Sequence, residues 1–198
     1  MENLASHDLD PAAKQYLERA QEGLDRQAAI VSAMSEAQRL EGSVKTADWE
    51  TIDLGEMLGY CADAYRSVNP SRTIHLNLPV EKCEFLCAPE LIAQALDKLV
   101  DNAISLSDES CEISITLKCE DGFCRLSVAN AGTRLPDVLH EQLFDSLVSL
   151  RQERGSGRHL GLGLHIVRLV VEAHHGNVSA RNLPNDKGVE FNLCLPIR

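Results

Sequence analysis

Apolar residues recur every three to four positions over residues 12–41, and this spacing predicts one long amphipathic helix. Asp10 and Pro11 precede the segment and are typical of an N-cap and a first helical residue. A helix of this length spans about 45 Å and cannot bury its own apolar stripe. We therefore expect it to pack in an intermolecular bundle rather than against the rest of the chain.

Strict alternation of apolar and polar residues predicts strands in much of the remaining chain. The predicted strands are residues 49–52, 73–78, 83–87, 112–119, 123–129, 177–180 and 188–195. We expect the second and third of these to be neighbours across a turn at Pro79. The fourth and fifth are expected to form a hairpin across residues 120–122.

Helical spacing returns three times among these strands, in residues 54–65, 89–106 and 164–174. Residues 42–47 are predicted to be a joint after the long helix, and Asp53 is suited to cap the helix that follows it. A short helix near residues 139–144 precedes a predicted lid over residues 145–158. The order predicts an α+β fold, with a mixed, largely antiparallel sheet covered on one face by helices.

Composition restricts the class of partner and the compartment. The 198-residue chain has a formal net charge of −11, which argues against nucleic acid or an anionic membrane as its main partner. Its seven cysteines form no C-x-x-C pair, so we expect reduced thiols in the core rather than a metal site or disulfides. Without a bilayer-spanning stretch or a signal-peptide pattern, the sequence predicts a cytoplasmic location.

Two features of the sequence are candidates for binding a ligand. Gly161 and Gly163 form a Gly-x-Gly turn that enters an apolar helix, whose first N–H groups are suited to bind phosphate. The same pattern also fits a tight loop before a core helix. Asn102 lies within a predicted helix, where its carbonyl oxygen can bind a hard cation such as Mg²⁺ or simply face solvent.

Four short stretches, in the correct order, resemble the sequence boxes of the GHKL ATPase superfamily. They are the N box at residues 101–103, the G1 box at 128–136, the F box at 144–147 and the G2 box at 161–164. The F box and the closing pattern from Gly176 to Pro196 are similar to the catalytic domain of bacterial two-component sensor histidine kinases. The resemblance divides the chain into residues 1–44, similar to the second helix of a dimerisation and phosphotransfer hairpin, and an ATP-binding domain at residues 45–198.

This resemblance implies a Bergerat-type α/β sandwich that binds ATP and Mg²⁺. Asn102 would be the magnesium ligand, Asn130 would recognise the adenine amino group, and Gly132 would let the backbone approach the base. The remaining implied nucleotide contacts are Arg134, Leu160, Gly161, Leu162, Gly163 and Leu164. Lys98 is the candidate catalytic residue; it could approach a phosphate or lie on the surface. The implied reaction is transfer of the γ-phosphoryl group to a histidine for relay to the receiver domain of a response regulator.

Several positions depart from the family pattern. Asn130 replaces an aspartate, Arg134 replaces a glycine, and Lys98 replaces the first asparagine of the N box. The asparagine oxygen can still accept a hydrogen bond from adenine, but without the strength of a charged acceptor. Two alternatives to the histidine kinase therefore stay open. One is a degenerate nucleotide-binding module that regulates a partner through the long helix, and the other is an anti-sigma-type serine kinase.

The acceptor histidine is not expected within this chain. Ser6-His7-Asp8 resembles an H box, but too few residues separate His7 from Glu41 for two long helices and a turn. We expect the acceptor to lie upstream and His7 to be a loop residue. A fragment of this kind would not phosphorylate itself, would self-associate weakly through its helix, and would fit a parent protein anchored in the inner membrane.

Overall fold

The computed structural model describes residues 10–132, 134–135, 142–144, 162–184 and 187–197. Its helices are α1 Pro11–Thr46, α2 Leu54–Val68, α3 Pro89–Leu106 and α4 Leu162–Ala173. Its strands are β1 Glu50–Asp53, β2 Ile74–Asn77, β3 Glu84–Cys87, β4 Ile113–Glu120, β5 Phe123–Ala131, β6 Asn177–Asn182 and β7 Gly188–Pro196. A 3₁₀ turn covers Gln142–Phe144.

The main sheet has five strands in the order β2-β4-β5-β7-β6, and every pair except β2–β4 is antiparallel. This confirms the prediction of a mixed, largely antiparallel sheet. The expected pairing of β2 with β3 is wrong, because β3 pairs with β1 in a separate two-stranded sheet. Residues 78–83 carry the chain from one sheet to the other, and no tight turn forces these two strands together.

The β4–β5 hairpin is confirmed, and its turn has a local cause. Asp121 and Gly122 take positive φ values of 53° and 78°. Two consecutive positive values define the turn type whose twist matches that of paired antiparallel strands. Glu120 and Phe123 are the last opposed pair before it.

The core lies between the main sheet and the helices. From the sheet, Ile115, Leu126 and Leu193 point inward and are fully buried, as period-two alternation requires. Helices α3 and α4 pack against each other and contribute the opposite side of the core. Their buried apolar residues are Leu91, Ile92, Ala95, Leu96, Leu99, Val100, Ala103, Ile166, Val167, Val170 and Val171.

Helix α1 differs from its prediction in two respects. It continues through Gly42 as far as Thr46, so residues 42–47 are mostly the last turn of the helix rather than a joint. Its C-terminal part also packs on the domain, with Leu40 only 2% exposed and Val44 against the core. Only the C-terminal part of the apolar stripe is therefore covered by the domain, and Tyr16 and Val31 nearer the N-terminus stay exposed. No helix in the described ranges is long and apolar enough to cross a membrane.

Both predicted helix caps are present. The Asp10 carboxylate accepts from the Ala12 N–H at 2.7 Å, and the Asp53 carboxylate accepts from the Gly55 N–H at 3.0 Å. Each bond satisfies a donor that the first helical turn leaves without an intrahelical partner.

The cysteines do not all remain free, which corrects the expectation of reduced thiols. Cys83, just before β3, forms a disulfide with Cys119 in β4. The two residues are 36 positions apart in sequence, and only the folding of the small sheet against the hairpin brings them together.

Candidate functional site

Asn102 lies in the last turns of α3, on the edge of the face that enters the core. Its neighbours Leu99 and Ala103 are fully buried, while Asn102 is half-buried. Its amide nitrogen is buried and has no hydrogen-bond partner among the described residues. Leaving such a group unpaired costs about 1–3 kcal/mol, so the position is suited to a polar ligand.

Asn130 is the second polar group without a full set of partners. It lies in β5 between β4 and β7, opposite Ile113 and Val189, and is 1% exposed. Its amide nitrogen lies 3.4 Å from the Ala131 carbonyl, whereas its buried Oδ1 has no partner within the described chain. An unpaired acceptor in an apolar setting is suited to a ligand that donates a hydrogen bond.

Gly132 brings the end of β5 against the end of α3. Its φ is +149°, and a Cβ built there would lie 2.7 Å from the Leu106 carbonyl oxygen. The same Cβ would lie 3.4 Å from the Asn130 amide nitrogen. Only glycine therefore allows the two elements that carry Asn102 and Asn130 to meet this closely.

Arg72 binds the C-terminal end of α3. Its guanidinium donates to the carbonyls of Ile104 and Ser107, both at 2.9 Å, and to the Asp108 carbonyl at 3.0 Å. A further bond reaches the Ser107 hydroxyl at 2.9 Å. A cation bound to the last carbonyls of a helix satisfies their free acceptors and complements the helix dipole.

A hydrogen bond from α2 also fixes the position of α3. The Tyr65 hydroxyl donates to the Asp97 carboxylate at 2.5 Å. Burial, together with this bond and the charge of Asp97, raises the pKa of Tyr65. The phenol therefore stays protonated, and the bond persists, throughout the physiological pH range.

The segment after Gly132 is held by β6. Asn182 accepts from the Leu135 N–H at 2.8 Å and donates to the Leu135 carbonyl at 2.9 Å. Leu135 is buried, while its neighbour Arg134 is exposed. This two-bond pairing ties the backbone at Leu135 to the end of β6.

Helix α4 begins against the side of α3. A Cβ built on Gly163 would lie 3.9 Å from two carbon atoms of the Lys98 side chain, so the Lys98 stem runs past the first turn of α4. The Lys98 ammonium forms an ion pair with Glu36 of α1 at 2.7 Å. The buried Phe144 lies beyond, with its carbonyl 3.4 Å from His165 Nδ1 and its ring edge-on to Phe191.

The structure thus places Gly163 against Lys98 of α3, and it places Gly132 against Asn130 of β5 and the end of α3, the helix that also carries Asn102. Leu164 follows in the first turn of α4, and Leu162 is its first residue. Leu160, Gly161, His7 and the predicted lid at residues 145–158 lie outside the described residues.

Sequence reasoning missed three residues that support this site: Arg72, Asn182 and Glu36. Each is polar and lies far along the chain from the group it binds. No local spacing pairs such residues, so the sequence offered no signal for them. Arg72 follows a Pro-Ser turn and had the appearance of an ordinary surface residue.

The fold is a mixed, largely antiparallel sheet with helices, and two buried polar atoms without partners lie on α3 and β5. A family model described as "Histidine kinase-, DNA gyrase B-, and HSP90-like ATPase" matches residues 87–198. The chain belongs to this family, and the expected GHKL membership is confirmed.

Individual relatives narrow the comparison. Sensor histidine kinase CusS of Escherichia coli O157:H7 is 27% identical over 180 residues, covering 89% of this chain and 36% of CusS. The catalytic domain of histidine kinase ThkA matches with a TM-score of 0.66 at 25% identity, over 76% of this chain and 96% of that domain. Histidine kinase ThkA in complex with the response regulator protein TrrA gives a TM-score of 0.71 at 22% identity, over 100% of this chain and 55% of ThkA. The chain spans about a third of the length of the curated relatives it matches.

Proposed function

We propose that this chain is the ATP-binding catalytic part of a sensor histidine kinase, which donates the γ-phosphoryl group of ATP to a histidine. The observation that carries the proposal is the pair of buried, unpartnered amide atoms on Asn102 and Asn130. Both lie on the two elements that Gly132 joins, within a domain of an ATPase family. Unpaired polar atoms in a core are rare and call for a ligand.

Asn130 would select the base. Its Oδ1 is an acceptor without a donor in the described structure, and the exocyclic amino group of adenine is a donor. Gly132 leaves room for the base, because any side chain there would meet the end of α3. A guanine presents a carbonyl at the corresponding position and would pair with Asn130 only if the amide rotated and gave up its contact with the Ala131 carbonyl, so the pocket should prefer adenine.

Asn102, Lys98 and the start of α4 would bind the phosphates. The buried Asn102 nitrogen can donate to a phosphate oxygen, and rotation of the amide presents its oxygen to Mg²⁺ instead. The free N–H groups at the start of α4 favour an anion, as does the Lys98 ammonium beside them. ATP bound with Mg²⁺ would supply the transferable phosphoryl group, and these residues would hold it in place and balance its charge.

The acceptor and the partner are part of the same proposal. Because the chain spans about a third of relatives such as sensor histidine kinase CusS, we place the acceptor histidine in the remainder of a longer protein. A response regulator would then receive the phosphoryl group, as a partner of the kind seen with histidine kinase ThkA. Since ATP is the substrate, the domain would act in the cytoplasm.

Helix α1 would mediate self-association. Its large apolar residues Tyr16, Leu24, Val31 and Met34 are 71%, 46%, 64% and 57% exposed. Exposed apolar residues repeated along one helix support packing with a second copy. Sedimentation over a dilution series should show a dimer that dissociates on dilution, and a Val31→Glu variant should be monomeric. A monomer at every concentration would contradict this role.

Calorimetric titration of ATP into the wild-type protein, with and without Mg²⁺, tests the central proposal. We expect magnesium to strengthen ATP binding, and Asn102→Ala to remove that gain. Asn177→Ala, an exposed asparagine on β6, is the matched control and should bind as the wild type does. A folded wild type that binds no ATP at millimolar concentration would overturn the proposal.

The ion pair between Lys98 and Glu36 favours a second candidate function. A long helix tied directly to the nucleotide site can report nucleotide binding to a partner without any phosphoryl transfer. Supplying the full-length protein with γ-labelled ATP separates the two functions. Acid-labile label on a histidine identifies the kinase, whereas ATP binding without label on any residue identifies the regulatory module.

A further inference from the structure

Three cysteine sulfur atoms form a cluster on the side of the domain where the small sheet meets the β4–β5 hairpin. Cys83 and Cys119 are joined by the disulfide, and Cys124 Sγ lies 2.7 Å from Cys83 Sγ and 3.2 Å from Cys119 Sγ. All three atoms lie within 4.8 Å of one another. Cys83 and Cys124 also belong to the hydrophobic core.

The hairpin itself creates two of the three positions. Cys119 and Cys124 are directly opposed residues of β4 and β5, next to the last pair before the turn. Opposed residues of antiparallel strands place their side chains about 5 Å apart on the same face. Cys83 adds the third sulfur from the segment that leads into β3.

The cluster is enclosed but reachable. Cys83 is 3% exposed and Cys124 is fully buried, while Cys119 is partly exposed and opens the cluster toward solvent. A small ion can therefore enter at Cys119, and solvent there can partly screen the charge of a bound complex.

Among the described residues, no fourth His, Cys, Asp or Glu offers a ligand atom within 4.8 Å of all three sulfurs. Cys87 is buried and close enough to Cys124 for their charges to interact, but its sulfur is not one of the three clustered atoms. His174 is fully engaged, because its Nε2 accepts from the Ala88 N–H and its Nδ1 lies 2.8 Å from the Val170 carbonyl. Zinc almost always takes four ligands in structural sites, whereas soft monovalent ions accept a sulfur-only set of lower number.

We propose that, once the Cys83–Cys119 disulfide is reduced, Cys83, Cys119 and Cys124 bind a single soft monovalent metal ion of the Cu(I) class. A thiol reductant supplies the two electrons and two protons that open the disulfide, and it leaves as its own disulfide. The ion then binds three thiolate sulfurs, three thiol protons pass to solvent, and no electron is transferred in this step.

Binding would change how the two sheets are joined. In the oxidised protein, one covalent bond links the segment before β3 to β4. In the metal-bound protein, the same segment would be linked to both strands of the hairpin. The bound ion would stabilise the folded chain by mass action, so its melting temperature should rise with Cu(I) concentration.

Titration of Cu(I) into the fully reduced 198-residue protein, without oxygen and against the chelator bicinchoninate, tests the proposal. We expect one equivalent to be withdrawn from the chelator. Cys124→Ala should weaken binding by more than about a hundredfold, since even residues that only support a ligand contribute ten- to a hundredfold. Cys87→Ala, which removes an equally buried sulfur outside the cluster, should still withdraw one equivalent.

X-ray absorption of the wild-type copper complex tests the ligand set without any variant, and it should show three sulfur neighbours. Protein oxidised to the disulfide should withdraw no copper. The proposal is overturned if the reduced wild type withdraws none, if Cys124→Ala binds like the wild type, if Cys87→Ala loses binding equally, or if Zn²⁺ displaces Cu(I) from the site.

Discussion

The Lys98 ammonium lies 2.7 Å from a Glu36 carboxylate oxygen, and this ion pair ties the helix that carries Asn102 to the long N-terminal helix. The Lys98 stem also passes the first turn of α4, where phosphate is expected to bind. Lys98 therefore contacts α1 and also lies beside the turn of α4 to which the proposed function assigns phosphate binding. On the proposed function, the position of α1 and the charge at the nucleotide site would be coupled through this one side chain.

Breaking the ion pair should strengthen ATP binding. Glu36→Gln releases Lys98 toward the phosphates, and we expect the dissociation constant for ATP to fall by about threefold to tenfold, or up to about 1.4 kcal/mol. Lys98→Met should raise the dissociation constant. Stability should change little, because a partly exposed ion pair contributes about 0.5 kcal/mol. Isothermal titration calorimetry and chemical denaturation measure the two effects.

Glu18→Gln is the control for this experiment, because it removes the same charge from an exposed position of α1. It should leave the ATP affinity unchanged. Equal affinities for wild type, Glu36→Gln and Lys98→Met would show that Lys98 does not contact the nucleotide.

Asn130→Asp should strengthen ATP binding while it weakens the empty protein. A carboxylate gives the charge-assisted acceptor that Asn130 lacks, which is about twice as strong as a neutral one, so we expect about a tenfold gain. Without ATP, the new charge is buried with no partner, and the melting temperature should fall. Calorimetry and thermal melts with and without ATP measure both effects.

Asn130→Ala is the companion variant and should lose ATP binding without creating a buried charge. If Asn130→Asp and Asn130→Ala bind ATP equally well, the Asn130 side chain does not contact the base.

Gly132→Ala should damage both stability and nucleotide binding. The positive φ of +149° strains any other residue, by about 1–3 kcal/mol. The added Cβ would also press on the Leu106 carbonyl at 2.7 Å and push α3 away from β5. Denaturation curves and ATP titration should therefore both shift.

Gly122, in the β4–β5 hairpin, distinguishes the effect of backbone strain from the effect of close contact. Gly122 also has a positive φ, of +78°, but a Cβ there meets nothing within 4 Å. Gly122→Ala should lose about 1 kcal/mol of stability and keep its full ATP affinity. An ATP affinity that falls equally in both variants would mean that the close approach at Gly132 has no specific role in binding.

His174 should make the stability of the domain depend on pH. Its Nδ1 donates to the Val170 carbonyl and its Nε2 accepts from the Ala88 N–H at 3.1 Å, so the neutral ring joins α4 to the start of α3. Burial lowers the pKa of His174 from its usual 6.5, with a further contribution from His175. Protonation of Nε2 would also place two donors face to face.

The lowered pKa of His174 fixes the direction of the effect. The unfolded chain takes up a proton near pH 6.5 while the folded chain does not, so this part of the stability is complete above that pH. It should decline as the pH falls from there to the lowered pKa of the folded state. Urea denaturation between pH 8 and pH 5 should show the decline, and His174→Gln should reduce it. His175→Asn, at an exposed neighbouring position, should retain it; identical pH profiles for wild type and His174→Gln would contradict this account.

Local order in the sequence determined most of the elements of this protein. The period of the apolar residues distinguishes helix from strand and fixes which face is buried, because side chains repeat every 3.6 residues on a helix and every two on a strand. Asp10 and Asp53 cap their helices by contacts two residues away, and Asp121-Gly122 closes its own hairpin. The identity of Asn102, Asn130 and Gly132 as a set also came from the sequence, through the order of the family boxes.

Only the tertiary structure decided which of those elements meet. The pairing of β2 with β4 rather than β3, the packing of Leu40 in the core, and the contact of Lys98 with Glu36 all join residues far apart along the chain. The same is true of the three sulfurs, two from one hairpin and one from the segment before β3. The period of apolar residues predicts which face of a helix or strand is buried, but it does not predict which other element covers that face. Many different elements could bury the same apolar face. That choice depends on the packing of the whole core, which exists only in the folded chain.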